Sequence, residues 1–171
     1  MINMNKIRLE KINDDNFYEI TKLKVSKEQK NFVSTNTYSL VHAYLALVNG
    51  QLVFPFGIFV NDKPVGFLMI GYNSMSDDVK NNPVCGWFMK DSYMIWRLMI
   101  DKRYQNKGYG KEAVRLALDF IRTYPCGKAK YCWLSYEPEN KTAKKLYQSF
   151  GFKEVPSAYY EGGEMPAILE L

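Results

Sequence analysis

Between Lys102 and Lys111 the sequence reads KRYQNKGYGK, which sets four cations, Lys102, Arg103, Lys107 and Lys111, around two glycines, Gly108 and Gly110. Apolar residues at helical spacing follow at once: Ala113, Val114, Leu116, Ala117, Phe120 and Ile121. A helix leaves its first N–H groups without internal partners and carries partial positive charge at that end. A glycine-rich approach to it lets phosphate oxygens dock against bare backbone amides. Gln105 to Lys111 could supply such a cradle. It is no Walker loop, because no GK[ST] follows the glycines, and NKGYG is not GxGxxG, so nucleoside triphosphates and dinucleotides lose their main support. Taken alone, the loop is explained as well by a plain tight turn.

Acid–base groups are less organised. Glu28, Asp91, Asp101 and Glu137 fall at loop or strand-end positions where a carboxylate could act as a base, and each also reads as an ordinary solvated acid. His42, the single histidine, falls on a predicted helix, where a partly exposed structural role is the commoner one. Cys85, Cys126 and Cys132 are odd in number and lack CxxC spacing, so neither a disulfide framework nor a metal site is expected. The net charge of +5 would permit phosphate binding along a nucleic acid. The lysines are scattered, however, with no zinc-finger spacing, basic tail or RNA-binding aromatic signature, and no nucleic-acid partner is expected. The N-terminal stretch lacks the apolar core of a signal peptide, and nowhere do about eighteen apolar residues run together. The expectation is a cytoplasmic chain with no membrane partner.

These groups need a scaffold, and 171 residues suffice for one domain, 1–171. Lys6 to Ile12 alternates as a half-buried strand, and Asn13, Asp14 and Asp15 can cap a helix running to about Lys24. Thr37 or Ser39 would cap a second helix that Gly50 stops. Two apolar runs around Asn61-Asp62-Lys63-Pro64 read as a hairpin. Residues 74–92, broken by Pro83 and Gly86, read as loop, and YMIWRLMID as a buried strand. A helix over about Gly108 to Tyr124, a strand in AKYCWLSYE, a short helix stopped by Gly151 and a last strand pair around Glu161-Gly162-Gly163 complete the chain. The order β-α-α-β-β-β-α-β-α-β-β argues an α/β or α+β domain, a mixed sheet covered by helices.

The glycine loop gains meaning with what lies downstream. LMIDKRYQNKGYGKEAV followed by WLSYEPENKTAKKLYQSFGF resembles the acetyl-CoA core of the GNAT-type N-acetyltransferases. That family carries Q/R-x-x-G-x-G/A at the helix mouth, here Gln105 to Gly110, and a later N-x-x-A-x-x-L-Y-x-x-x-G-F, here Asn140 to Phe152. The resemblance implies a GNAT fold: a mixed, mostly antiparallel sheet of six to seven strands with about four helices. It implies acetyl-CoA as co-substrate. The backbone of Leu98, Met99 and Ile100 would bind the pantetheine and orient the acetyl carbonyl. Gln105, Asn106, Lys107, Gly108, Tyr109, Gly110 and Lys111 would hold the pyrophosphate through backbone amides. Asn140 would take the pantetheine arm, and Lys144 would either reach the phosphorylated ribose end or face solvent. Tyr147 would be the general acid: when an amine attacks the thioester, a phenol in reach can protonate the departing thiolate.

Upstream, Val25, Gln29, Phe32, Val33, Asn36, Ser39, Leu40 and Ala43 are similar to the first helices of bacterial spermidine/spermine and diamine N-acetyltransferase-like enzymes, which line the acceptor site. This implies direct acetyl transfer to a small-molecule primary amine such as a polyamine. An aminoglycoside-like drug, a protein or peptide amine, or a non-catalytic CoA-binding regulatory role are the alternatives. A polycation needs acids and aromatics around it. Glu28, Asp77, Asp78 and Asp91, with Phe32, Tyr38 and Trp96, fall on the expected acceptor side, and Glu28, Trp96 and Glu137 are the candidate substrate contacts. A homodimer through the C-terminal strands would suit the apolar MPAILEL end, and so would a final strand buried within one chain.

Overall fold

The segment 52–72 shows how the sheet is laid down. Leu52–Val60 (β2) and Lys63–Tyr72 (β3) are antiparallel, and Val60 pairs with Lys63, so Asn61 and Asp62 alone turn the chain. Asn61 takes φ 52°, a left-handed geometry that asparagine tolerates. The computed structural model describes residues 6–159 and 161–171; residues 1–5, part of the stretch read for a leader, lie outside the described residues.

The other strands are Ile7–Lys11 (β1), Tyr93–Ile100 (β4), Tyr131–Tyr136 (β5), Lys153–Glu154 (β6) and Met165–Glu170 (β7). The helices are Phe17–Thr21 (α1), Asn36–Val48 (α2), Asp77–Lys80 (α3), Gly86–Met89 (α4), Tyr109–Ile121 (α5) and Lys141–Gln148 (α6). One seven-stranded sheet runs β1-β2-β3-β4-β5-β7-β6. All its pairings are antiparallel except β4 with β5.

That parallel pair is brief. Tyr93 stands opposite Cys132 and Met94 opposite Trp133, and beyond them the strands part. The closed end is fixed by Tyr93, whose buried phenol donates to the Gly127 carbonyl at 3.0 Å and accepts from the Cys126 amide at 3.0 Å. β4 stays paired with β3 up to Ile100, with one irregularity: Met69 opposes Arg97 and Ile70 opposes Ile95, leaving Trp96 as the extra residue of a bulge. The sheet thus opens into a wedge whose one wall is the last half of β4.

Helices cover both faces. α5 seats Ala113, Val114, Ala117 and Ile121 on Ile58, Leu68, Ile70 and Ile95, while Ile20, Leu23, Ala43 and Ala46 pack on Phe67, Met69 and Met99 behind the sheet. Each of the larger side chains among these, valine, leucine, isoleucine, phenylalanine and methionine, contributes about 1.5–3 kcal/mol on burial.

The element order matches the sequence reading once single-turn helices are set aside, and several boundaries are corrected. Among the described residues six α-helices replace about four, because 74–92 contains α3 and α4. Phe88 and Met89 are buried against Met94 and Trp133, which winds that part of the expected loop into a turn of helix. α2 is capped by Thr35, whose hydroxyl accepts from the Tyr38 amide at 3.2 Å, while Ser39 lies inside the helix and is fully buried. α1 ends at Thr21, short of Lys24, and α5 ends at Ile121, short of Tyr124, which has a positive φ. β7 lies inside the sheet between β5 and β6, with Pro166 and Ala167 buried and Met165, Ile168 and Leu169 half-buried. Among the described residues no helix is long and apolar enough to cross a membrane.

Candidate active site

Two cavities occupy the wedge. The first is lined by Leu98, Met99 and Ile100 of β4, by Gln105, Asn106, Gly108, Tyr109 and Gly110 at the mouth of α5, and by Asn140, Thr142, Ala143, Leu146 and Tyr147 around α6. The second is lined by Trp96 and Arg97 of the bulge, Ser135 and Tyr136 of β5, Lys30 and Glu164. Six residues line both: Phe32, Val33, Leu98, Asn140, Ala143 and Tyr147. The two spaces therefore meet beside the Tyr147 ring.

The loop at the mouth of α5 is held by side chains that the sequence presents as merely polar. Gln105 Nε2 donates to the Ile100 carbonyl at 2.9 Å and to Gln29 Oε1 at 2.8 Å, tying the loop to β4 and to the segment before α2. Asp101 is 2% exposed and accepts from the amides of Lys24 at 2.9 Å and Arg103 at 3.0 Å and from Arg103 Nε at 2.8 Å. Burial would raise its carboxyl, but Arg103 and the two amides outweigh that and hold it below the ordinary carboxylate range. Asp101 is thus a fastening in place of the solvated acid or base that the sequence suggests.

Gly108 precedes α5 with φ 80° and no side-chain cap, and no atom lies within 4 Å of where a Cβ would stand. The glycine is required by its left-handed backbone, and the space over the helix mouth is open. That combination suits an anion approaching the first amides of α5. Lys107 and Lys111 do not line the first cavity; Lys107 Nζ lies 5.6 Å from the Tyr104 ring centre. Lys144 pairs with Glu154 at 3.0 Å.

α6 carries the remaining chemistry. Asn140 caps it, its Oδ1 accepting from the Ala143 amide at 3.1 Å, and the residue lines both cavities. Tyr147 is 8% exposed, stacked on Tyr136 at 6.0 Å and edge-on to Phe152 at 5.8 Å. Burial first, then Cys132, Glu164 and Tyr136, push its phenol above the ordinary value, so it stays a proton donor across neutral pH. Beneath it Cys132 is buried, its thiol pushed up to about 12 by desolvation, and all three cysteines are free.

The proposed acceptor acids do not gather at the wedge. Asp77 pairs with Lys80 at 2.8 Å on a separate cavity, and Glu28 sits on an exposed turn, its carboxyl lowered by its own amide and Ser26. Neither Glu137 nor Asp91 lines either cavity. His42 packs between Tyr38 and Trp96, ring centres at 4.4 and 6.0 Å, its Nδ1 buried without a partner among the described residues. Trp96 does line the second cavity. The residues missed in the sequence are Glu164, whose carboxylate accepts from the Ser135 hydroxyl, and Arg97. Glu164 follows two glycines that read only as a turn, and it reaches the wedge because Met165 pairs with Tyr136.

Residues 9–152 match the model of the acetyltransferase (GNAT) family. The chain belongs to the GNAT acetyltransferase family. It is 31% identical over 149 residues to the spermine/spermidine N(1)-acetyltransferase of Bacillus subtilis, spanning 86% of this chain and 88% of the relative. Among solved GNAT structures, the PaiA N-acetyltransferase of Thermoplasma acidophilum, in complex with coenzyme A, superposes with a TM-score of 0.64 at 14% identity. It covers 97% of this chain and 99% of that one. The aminoglycoside acetyltransferase AAC(6')-Ib, in complex with coenzyme A and kanamycin, gives 0.71 at 16% identity over 96% and 95%. The protein is a GNAT N-acetyltransferase that uses acetyl-CoA.

Proposed function

We propose that the enzyme acetylates the primary amine of a small aliphatic molecule of polyamine size by direct transfer, with Tyr147 as general acid. The observation that carries this is the meeting of the two cavities beside Tyr147, one opening onto the mouth of α5 and the other onto Arg97 and Glu164. The first suits acetyl-CoA: the amides of Gln105 to Gly110 at an open, glycine-led helix mouth for the pyrophosphate, and the wall of β4 from Leu98 to Ile100 for the pantetheine. The Ile100 carbonyl already accepts from Gln105 and the Met99 carbonyl faces Gly66 of β3, so the hydrogen bonds to the pantetheine fall first to Leu98. The Asn140 NH2 serves the pantetheine arm. Bound acetyl-CoA supplies an activated acetyl thioester; the chain's part is to align it, to seat the amine on the Trp96 side, and to offer the Tyr147 proton to the leaving sulfur.

An amine reaches the site protonated and must lose a proton before it attacks. Glu164 is the carboxylate on the second cavity that can receive it, directly or through water. Polyamines are the first acceptors to examine, because the relative named for spermine and spermidine aligns over most of both chains. Acetyl-CoA with spermidine, spermine or a diamine should release free CoA thiol, and silence with every aliphatic amine would overturn this reading. Tyr147→Phe should lower kcat about a hundredfold or more while acetyl-CoA affinity changes little, as loss of a general acid requires. Unchanged kcat would remove the tyrosine from the mechanism.

A further inference from the structure

The second cavity is lined by two cations, Lys30 and Arg97, and by one carboxylate, Glu164. A site built only for polyamines would show the opposite balance, since like charges in a partly desolvated space repel. Arg97 stands out within it. The bulge at Trp96 places it on the wedge, where its Nη1 donates to the Trp96 carbonyl at 2.9 Å and the guanidinium lies 5.7 Å from the indole centre. Its Nε is sealed from solvent with no hydrogen-bond partner among the described residues. A buried donor without an acceptor is destabilising, and a guanidinium has five N–H groups arranged to take an oxyanion in a two-pronged grip. Arg97 therefore rests folded against Trp96 in an arrangement that an incoming oxyanion improves. Glu164 shares the cavity without forming an ion pair with Arg97, and it acts electrostatically on both Arg97 and Tyr147. A small molecule with an amine at one end and an oxyanion at the other fits this polarity, its ammonium toward Glu164 and Tyr147.

We propose that Arg97 is a specificity residue that binds an oxyanion, a carboxylate or a phosphate, on the far end of the acceptor, so that the preferred substrate is an amine carrying an acid group. This rests on the amine-acetyltransferase reading above and narrows its acceptor. The test uses matched acceptors: γ-aminobutyrate against putrescine, δ-aminovalerate against cadaverine, and phosphoethanolamine against ethanolamine, each with acetyl-CoA. At least one acid-bearing member should exceed its partner in kcat/KM by about tenfold or more, the scale of a charge-assisted bidentate contact, and the pair that responds tells carboxylate from phosphate. Arg97→Gln should erase that preference through KM, with acetyl-CoA affinity unchanged by calorimetry, and Arg97→Lys should restore part of it. Acetylation of the diamines with every acid-bearing partner silent would overturn the assignment of Arg97 and leave the amine reading standing. So would a preference that survives in Arg97→Gln. Failure of all amines would overturn both.

Discussion

Asp101 shows what a single residue can hide. In the sequence it ends a strand and precedes two basic residues, so it reads as one of several solvent-facing acids. Its role depends on the Lys24 amide, which lies far away along the chain and cannot be found by spacing. Removing the carboxylate in Asp101→Ala leaves the Lys24 and Arg103 amides without their acceptor and should lower unfolding free energy by about 2–4 kcal/mol, measurable by urea denaturation. Little of this comes from the Arg103 ion pair, whose guanidinium side chain is 62% exposed. The depressed folded-state carboxyl sets the sign of a pH effect. Its contribution is full above the unfolded carboxylate value of about 4 and is lost as the pH falls through the lower folded value. Asp101→Asn should flatten that part of the acid limb relative to the parent. Tyr147 is the contrary case: the family motif around it implies a place on a helix facing the site, and the structure puts it on α6 beside both cavities.

At the level of elements, most of what depends on local pattern was readable. The hairpin turn, the glycine entry to α5 and the order of strands and helices follow from residue types at short range. What escaped includes two local features, the Thr35 cap and the helical turn at 77–80, and several long-range ones: the turn at 86–89, and the delivery of Glu164 and Arg97 to one cavity by the β5–β7 pairing and the β4 bulge. Strand β3 offers a direct test of the wall that frames the site. Gly66 faces β4, and a Cβ there would sit 2.4 Å from the Met99 carbonyl oxygen, closer than any real contact. Gly66→Ala must push the end of β3 from β4 just where Leu98, Met99 and Ile100 line the cleft. We expect a stability loss of about 1–3 kcal/mol together with weaker acetyl-CoA binding, read by thermal unfolding and by titration calorimetry. A loss of stability with unaltered binding would show that the cleft wall adjusts independently of β3.

For the molecule as a whole, charge and cavity tell different stories, and both were partly legible. The excess of basic over acidic residues, 23 Lys and Arg against 18 Asp and Glu, could be counted in the sequence. That Lys102 joins Lys24, Lys27 and Lys30 at one neighbouring cavity could not, because only the fold brings the loop after β4 to the stretch before α2, where the Lys102 amide donates to the Lys24 carbonyl at 2.9 Å. The separation of β4 from β5 after two register pairs has a further consequence, for cooperativity. The hydrogen-bond ladder that unites the other strands is interrupted in mid-sheet, so β5, β7 and β6 can open locally at less cost than the block β1 to β4. Amide hydrogen exchange of the free enzyme should then resolve two levels of protection, one on each side of the interruption. A ligand bridging the gap binds only the closed form and stabilises it by mass action, so saturating CoA should merge the two levels and raise the melting temperature. Whether this protein unfolds in one step or two thus becomes a property of its ligand state.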